Sequence, residues 1–164
     1  MFFDHRLLIS IGLILLGLVL GACSTVPHTG RSQLNLVSSD QLASASAQQF
    51  DQLKTQSKLI PSGPQYDMVQ RVGKRIAAAA SDDMPNADWE FILIDDDDTV
   101  NAFAMPGGKV AVYTGIFKVV QSDGDLAIII GHEVAHVVAG HGAERYSQQI
   151  LAQGGLSAAQ IGLG

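Results

Sequence analysis

The sequence has little cysteine and little charge. It contains one cysteine, Cys23, in 164 residues, which excludes both an intrachain disulfide and a zinc site of several thiolates. Charged residues make up 16% of the chain and apolar residues 47%, which suits a globular protein with a sizeable core. Basic residues number 10 against 16 acidic ones, giving a formal net charge of -6. Because nucleic-acid binding calls for a clustered basic face, we expect no nucleic-acid partner.

The first residues form an apolar segment that we expect to lie outside the folded domain. Leu7 to Leu20 is almost purely apolar but too short for a comfortable membrane span, which needs about 20 residues. The Leu-Gly-Ala-Cys sequence that ends at Cys23 resembles a bacterial lipoprotein signal, in which a small residue precedes a cysteine that becomes lipidated. We therefore predict that residues 1–22 are a lipoprotein signal peptide. The alternative is an uncleaved anchor with an incidental cysteine.

Lipidation of Cys23 would hold the protein at a membrane surface. Several acyl chains give lasting anchorage, whereas a single chain gives only marginal binding. Ser24 follows the cysteine, and by resemblance to known lipoproteins the absence of Asp at this place favours the outer membrane. We expect a bacterial cell-envelope protein, lipid-anchored at the outer membrane and facing the periplasm. Residues 23–37, rich in Ser, Thr, Gly, Pro and Asn, are predicted to be a flexible tether before a folded domain at 38–164.

Two helices are predicted at the start of this domain. Ser38 to Lys58 has a thin apolar stripe at helical spacing, and Ser39 or Asp40 is expected to cap it. A segment rich in Pro and Gly then breaks the helix. The second helix is expected from about Gln65 to Ala80, where apolar residues again repeat at helical spacing.

Strand periodicity follows the two helices. Short apolar segments separated by turn residues predict three strands and a short helix. A long apolar helix, capped by Asp123 or Asp125, is then expected to continue through His136, and no completed helix is expected after Gly154. The strands are predicted at Trp89–Ile94, Val100–Met105 and Lys109–Thr114, with a tight turn at 106–108 and the short helix at Gly115–Val120.

The long apolar helix carries a His-Glu-x-x-His motif. Helix residues four apart lie about 40° apart around the axis. His132 and His136 can therefore aim their imidazoles at one point and clamp a single zinc ion. Glu133 can then take a proton from a zinc-bound water and later deliver it to the leaving amine. The alternative is two satisfied core histidines and one buried Glu, an arrangement that is costly in an apolar helix without a purpose.

Neither of two nearby residues is predicted to complete this metal site. His141 would lie about 180° from His132 around a continuous helix, so we expect it to face away and to cap the helix end or meet solvent. Glu144 would lie about 18 Å along the axis from His132, too far to share the ion. We therefore assign no third ligand within the chain.

Three stretches of the sequence resemble metallopeptidase family forty-eight, which includes the HtpX-, BepA-, LoiP- and Oma-type proteases. The similarity covers roughly residues 38–149, and the lipoprotein start is most similar to the LoiP-like bacterial branch. The resemblance implies an α+β, zincin-like fold, mostly helical, with a small sheet or hairpin beside the helix that carries the motif. The stretches are Asn101 to Gly108 followed by Val110 to Gly115, His132 to His136 with Gly140 and His141, and Ala143 to Arg145.

The resemblance also implies roles for individual residues. His132 and His136 would be ligands of one zinc ion, and Glu133 would be the catalytic base. The family's third ligand is a Glu on a later helix, which is not present in this chain, so we expect the C-terminal part of the domain to be missing. Substrate is expected to add as an extended strand to an exposed sheet edge. Candidate residues beside the cleft are Asn101, Ala102, Phe103, Pro106, Gly107 and Gly108.

These observations predict a zinc-dependent metalloendopeptidase that hydrolyses peptide bonds of misfolded cell-envelope proteins through a zinc-activated water. Its partners would be polypeptide substrates and, through the lipid at Cys23, the membrane. The alternative is a non-catalytic or inactive envelope lipoprotein with a binding or chaperone-like role, because the third zinc ligand is missing. The run Asp95 to Asp98 lacks the spacing of a calcium loop and is predicted to be a solvated loop at a strand end.

Overall fold

The computed structural model of the chain describes residues 23–26 and 30–162. They fall into two compact units. The larger unit is Val37–Ala143, and the smaller one joins the described residues up to Leu36 to those from Glu144 onward. The predicted signal peptide, residues 1–22, lies outside the described residues. The boundary between signal, tether and domain stays a prediction.

The smaller unit contains a strand pair within the segment predicted to be a flexible tether. β1 (Cys23–Thr25) pairs antiparallel with β2 (Ser32–Leu34). The guanidinium of Arg31 donates two hydrogen bonds to the carboxylate of Glu144, at 2.9 and 2.7 Å, within the same unit. Residues 23–25 and 32–34 are therefore extended and paired. The assignment of residues 23–37 as a flexible tether stays a prediction.

Two amphipathic helices open the larger unit, as the periodicity predicts. α1 (Ser39–Gln56) buries Phe50, and α2 (Pro64–Ala79) buries Val69 and Val72. Pro64 is the first residue of α2, a position where its missing N–H is tolerated and its fixed φ suits a helix.

The N-cap of α1 differs from the prediction. Ser38 caps the helix, and neither Ser39 nor Asp40 does. The Ser38 hydroxyl accepts a hydrogen bond from the backbone N–H of Gln41, and the Gln41 side chain accepts one in return from the Ser38 N–H, each at 3.2 Å. This reciprocal capping box satisfies two backbone donors with one pair of residues, which explains why the helix starts here.

The three predicted strands form one mixed sheet in the order β3-β5-β4. β3 (Glu90–Ile94) runs parallel to β5 (Lys109–Tyr113). β4 (Ala102–Met105) pairs antiparallel with the other side of β5. β5 is thus the central strand, and β4 lies at one edge of the sheet.

Alternation along the strands places each face of the sheet against different helices. One face packs against α2, and the other packs against α1. The face toward α2 contributes Phe91, Leu93, Ala102, Val110 and Val112, and the face toward α1 contributes Ile92, Ile94, Phe103, Met105, Ala111 and Tyr113.

Two further helices follow the sheet. A short 3-10 helix (Thr114–Lys118) leads into α3 (Asp123–Val138), and α4 (His141–Gly162) comes next. The prediction that this helix continues through His136 is confirmed, but the helix ends at Val138, so the continuous helix assumed up to His141 is wrong. The helix ends because Gly140 adopts a φ of 69°, a left-handed conformation typical of helix ends. The expectation of no completed helix after Gly154 is also wrong, since α4 continues to Gly162.

No single helix among the described residues is long and apolar enough to cross a membrane. α3 and the first part of α4 (His141–Gln153) pass the test of length and composition only when taken together across the break between them. The core helix of a globular domain passes the same test.

Candidate metal and peptidase site

A buried stripe on α3 fixes this helix against the core. Leu126 and Ile130 are fully buried and Val134 is 4% exposed. They are spaced by four residues, so they line one side of the helix. This side packs against α2 and β4. The residues that carry the sequence motif lie between and opposite these anchors.

The N-terminal end of α3 is held by a second capping box. Ser122 is the N-cap, so the predicted caps Asp123 and Asp125 are wrong. The Ser122 hydroxyl accepts from the Asp125 N–H at 3.2 Å, and Asp125 Oδ2 accepts from the N–H groups of Gln121 and Ser122 at 3.0 and 2.9 Å. These bonds, led by the one from Gln121, lower the pKa of Asp125 below its usual value. They stabilise the charged carboxylate at the positive end of the helix dipole.

Asp123 joins the same helix end to α2. The guanidinium of Arg71 donates two hydrogen bonds of 2.7 Å to the Asp123 carboxylate. This contact lowers the pKa of Asp123. The start of α3 is therefore fixed both by its own cap and by a neighbouring helix.

The predicted metal ligands lie on the side of α3 away from this stripe, and the predicted base, Glu133, lies about 100° around the axis from His132. His132 is exposed, while Glu133 and His136 are half-buried. Within the described residues, the Glu133 carboxylate has no hydrogen-bond or ion-pair partner. A half-buried carboxylate without a structural partner remains available for proton transfer.

The two predicted ligands converge on one point. Nε2 of His132 lies 3.0 Å from Nε2 of His136, and the ring centroids are 4.4 Å apart. Two nitrogens bound to one tetrahedral zinc at ordinary bond lengths are about 3.3 Å apart. The pair therefore fits a single zinc ion after a change of a few tenths of an ångström.

A third histidine joins the pair, contrary to prediction. His141 does not face away, because the break at Gly140 turns the chain and brings Nδ1 of His141 to 2.7 Å from Nδ1 of His136. Sequence reasoning missed this contact because it assumed a continuous helix, although Gly140 was a visible helix-end signal. His141 approaches the side of His136 that is opposite the converging Nε2 atoms. It is therefore not placed as a third ligand, and no cluster of three metal-ligating side chains occurs among the residues that the structure describes.

The predicted cleft residues of β4 divide between the two faces of the sheet. Ala102 is buried in the core that includes α3. Phe103 points to the opposite face and packs toward α1, with its ring centroid 6.3 Å from that of Tyr113. Asn101 is exposed just before the strand. Strand alternation thus separates residues that the sequence motif groups together.

The turn after β4 has a structural role. Gly107 and Gly108 have φ values of 85° and 87°, which only glycine adopts without strain. A Cβ on Gly107 would lie 3.1 Å from the Cβ of Ala43 in α1, and one on Gly108 would lie 3.1 Å from Trp89. Pro106 is half-buried in the same turn. The turn is therefore tightly packed against α1 and the segment before β3.

Asp95 to Asp98 forms the solvated loop that its spacing predicts. Asp96 organises it, since its Oδ1 accepts from the N–H groups of Asp98 and Thr99 and its Oδ2 accepts from the Thr99 hydroxyl at 2.7 Å. The Thr99 hydroxyl bond is the main cause that lowers the pKa of Asp96. These local bonds make the run a turn between strands.

Comparison with known protein families identifies the family to which this chain belongs. The model of a family described as "Peptidase family M48" matches residues 65–163. This range includes all of α2 except Pro64, the whole three-stranded sheet and the three histidines. The chain belongs to peptidase family M48. The α+β fold with its small three-stranded sheet beside a motif-bearing helix is consistent with the zincin-like fold of that family.

Several relatives share most of the described domain. The chain is 37% identical over 123 residues to "Mitochondrial metalloendopeptidase OMA1" of Schizosaccharomyces pombe, across 73% of this chain and 36% of the relative. It is 28% identical over 131 residues to "Beta-barrel assembly-enhancing protease" of Yersinia pestis, across 80% of this chain and 26% of the relative. A "Putative beta-barrel assembly-enhancing protease" of Vibrio cholerae is 36% identical over 83 residues, across 51% of this chain and 16% of the relative. The chain thus spans about a third or less of the length of these relatives.

Proposed function

We propose that this M48 chain contributes to a zinc-dependent metalloendopeptidase that hydrolyses peptide bonds of polypeptide substrates. The observation that carries this proposal is the 3.0 Å approach of Nε2 of His132 to Nε2 of His136. Glu133, the residue after His132, has no other partner within the described residues. Two converging ligands and an uncommitted carboxylate are the groups that metal-assisted hydrolysis requires.

The chain's own residues divide this chemistry between them. His132 and His136 would hold zinc through their Nε2 atoms. A zinc ion bound there would lower the pKa of a coordinated water molecule. The Glu133 carboxylate would act as the base, taking up a proton on a side-chain oxygen and later donating it to the nitrogen of the leaving amine. The buried stripe of α3 holds the helix that carries these three side chains in a fixed orientation against the core.

The free edge of β4 favours an extended substrate. Among the described residues, β4 is hydrogen-bonded to β5 on one side only, and it packs against α3. A peptide that adds to this edge would pair through backbone groups, so recognition would depend more on an extended conformation than on side chains. Unfolded polypeptides present such segments, which supports misfolded proteins as the substrate class.

A single substitution on α3 tests the activity. Glu133→Gln keeps the size of the side chain but removes the proton acceptor, so hydrolysis of casein in the presence of zinc should fall about 10²–10⁴-fold. Glu90→Gln is the matched control, since Glu90 lies on β3 and pairs with Lys54 at 2.7 Å. The control should retain activity. Equal rates for wild type and Glu133→Gln, or no effect of a chelator, would contradict the peptidase proposal and favour a non-catalytic binding or chaperone-like role.

We also propose that the protein is a lipoprotein of the bacterial cell envelope, with signal peptide 1–22 and lipid on Cys23. The motif at Cys23 supports this, as do the beta-barrel assembly-enhancing proteases among the relatives. Labelled palmitate should be incorporated by wild type and not by Cys23→Ala. Ser24→Asp is the informative control, since it should keep the label but shift the protein from the outer to the inner membrane fraction. Palmitate incorporation by Cys23→Ala would rule out this anchor.

A further inference from the structure

His141 contacts a predicted metal ligand but has no part in the proposed chemistry. Its Nδ1 lies 2.7 Å from Nδ1 of His136, and the two ring centroids are 4.9 Å apart. Both side chains are half-buried. The distance is short for two nitrogens, so the contact is a hydrogen bond in which one ring nitrogen donates and the other accepts.

The helix break between α3 and α4 creates this contact. Residues five apart on a continuous helix lie about 140° apart around the axis and cannot touch. Here the N–H of Ala139 donates to the Ala135 carbonyl at 2.9 Å, and the N–H of Gly140 donates to the Val137 carbonyl at 2.9 Å, which closes α3. The positive φ of Gly140 then turns the chain so that His141, the first residue of α4, returns toward His136.

The direction of the hydrogen bond follows from the state that a ligand must have. A neutral imidazole carries one proton and can bind a metal only through its other nitrogen. Nε2 of His136 is the atom that converges with Nε2 of His132, so the proton of His136 must be on Nδ1. Nδ1 of His136 therefore donates, and Nδ1 of His141 accepts.

We propose that His141 is a positioning residue that fixes the tautomer and ring orientation of His136 for metal binding. This inference rests on the proposed function, because the direction of the hydrogen bond is derived from metal binding through Nε2 of His136. Metal-binding histidines commonly donate their second N–H to a carboxylate, a backbone carbonyl or water, and loss of that partner typically costs about 10–100-fold in metal affinity. In this chain, a neutral imidazole takes the place of that acceptor.

The first part of the test needs no metal. In the full chain, treated with chelator at alkaline pH, nitrogen NMR should show the proton of the His136 ring on Nδ1. His141→Ala should move this proton toward Nε2. His141→Asn should restore it, because the Asn side-chain oxygen lies close to the position of the imidazole Nδ1. His141→Gln is the matched control, since its amide reaches the position of Nε2 instead and should fail to restore the proton.

The second part measures zinc affinity of the same four proteins by competition with a chromophoric chelator. We expect affinity to fall about 10–100-fold in His141→Ala and His141→Gln and to return to within about threefold of wild type in His141→Asn. An unfolding midpoint in chelator that is equal across the set shows that the loss is not a loss of fold. If His141→Ala does not fold, the comparison of His141→Asn with His141→Gln still tests the role of the Nδ1 acceptor.

The outcomes separate this inference from the proposed function. If wild type binds zinc and His141→Ala binds it equally, with His136 protonated as before, the inference is overturned and the peptidase proposal stands. If wild type binds no zinc, the proposed function fails, and the tautomer of His136 alone decides the role of His141. If His141→Gln restores the His136 tautomer and the zinc affinity as fully as His141→Asn does, the inference is also overturned, because the position of the Nδ1 atom of residue 141 would then be irrelevant.

Discussion

The two ends of α3 perform different tasks with different residues. The N-terminal end is held by the Ser122–Asp125 capping box and by the fully buried Leu126 and Ile130. The C-terminal end carries His132 and His136, whose ring nitrogens contact one another and His141. Polar side chains at the first end satisfy backbone donors, whereas at the second end, among the described residues, the hydrogen bonds of the imidazoles join histidines to one another. This difference supports our proposal that the second end binds a metal ion, while the first end stabilises the helix.

The largest effect on stability is expected from the buried stripe, where a matched pair of isoleucines is available. Ile130 is fully buried and Ile128, two residues earlier, is 75% exposed. Ile130→Ala should lower the free energy of unfolding by about 2–5 kcal/mol because it leaves a cavity. Ile128→Ala should change it by no more than about 0.5 kcal/mol. Urea unfolding of both variants checks this, and equal losses would show that the assignment of buried and exposed sides is wrong.

A smaller effect is expected at the break after α3. Gly140 has a φ of 69°, and a non-glycine residue in this region costs about 1–2 kcal/mol. Gly140→Ala should therefore destabilise the chain by that amount and also weaken zinc binding, because it disturbs the approach of His141 to His136. Gly142→Ala is the control, since nothing lies within 4 Å of a Cβ at that position. A Gly140→Ala protein as stable as wild type would argue against the helix break.

The capping box should contribute less than the buried stripe. Ser122→Ala removes the acceptor for the Asp125 N–H and should cost about 1 kcal/mol in urea unfolding. Zinc binding should be unchanged, since the cap stabilises the structural end of the helix only. A large loss of zinc affinity in a folded Ser122→Ala protein would break the separation between the two ends.

The smallest effect is a dependence of the same cap on pH. Hydrogen bonds from Gln121 and Ser122 lower the pKa of Asp125 in the folded state. A carboxyl whose pKa is lowered in the folded state stabilises the fold fully above its unfolded pKa of about 3.9. This stabilisation is lost as the pH falls through the folded pKa. The difference in urea midpoint between wild type and Asp125→Asn should therefore be full above about pH 5 and shrink on acidification. A difference that grows in acid would contradict this direction.

Much of the fold could be predicted because local patterns dominate it. Alternation predicts β3, β4 and β5, and helical spacing predicts α1 and α2. The order β3-β5-β4 could not be predicted, because it depends on which strands meet across the sheet and not on any single strand. The helix starts were missed by a residue or more, although Ser38 and Ser122 each precede a partner three residues later, the spacing of a capping box.

The candidate site was only partly predictable for a related reason. His132, Glu133 and His136 follow from spacing on one helix, which is a local property. The contact of His141 depends on a change of chain direction at Gly140. The separation of Ala102 from Phe103 depends on which face of the sheet each strand residue occupies in the assembled fold.

The central claim is that the C-terminal end of α3 binds zinc while the N-terminal end is structural. Zinc titration of His132→Ala and wild type tests this claim most directly. The free energy of unfolding of both proteins is measured in chelator. If the C-terminal end of α3 is a metal site and the other end is structural, zinc affinity should fall by more than the roughly 10–100-fold typical of losing a hydrogen bond to a ligand. The unfolding free energy should stay within about 0.5 kcal/mol of wild type, because His132 is exposed. A His132→Ala protein that binds zinc as tightly as wild type would contradict the account.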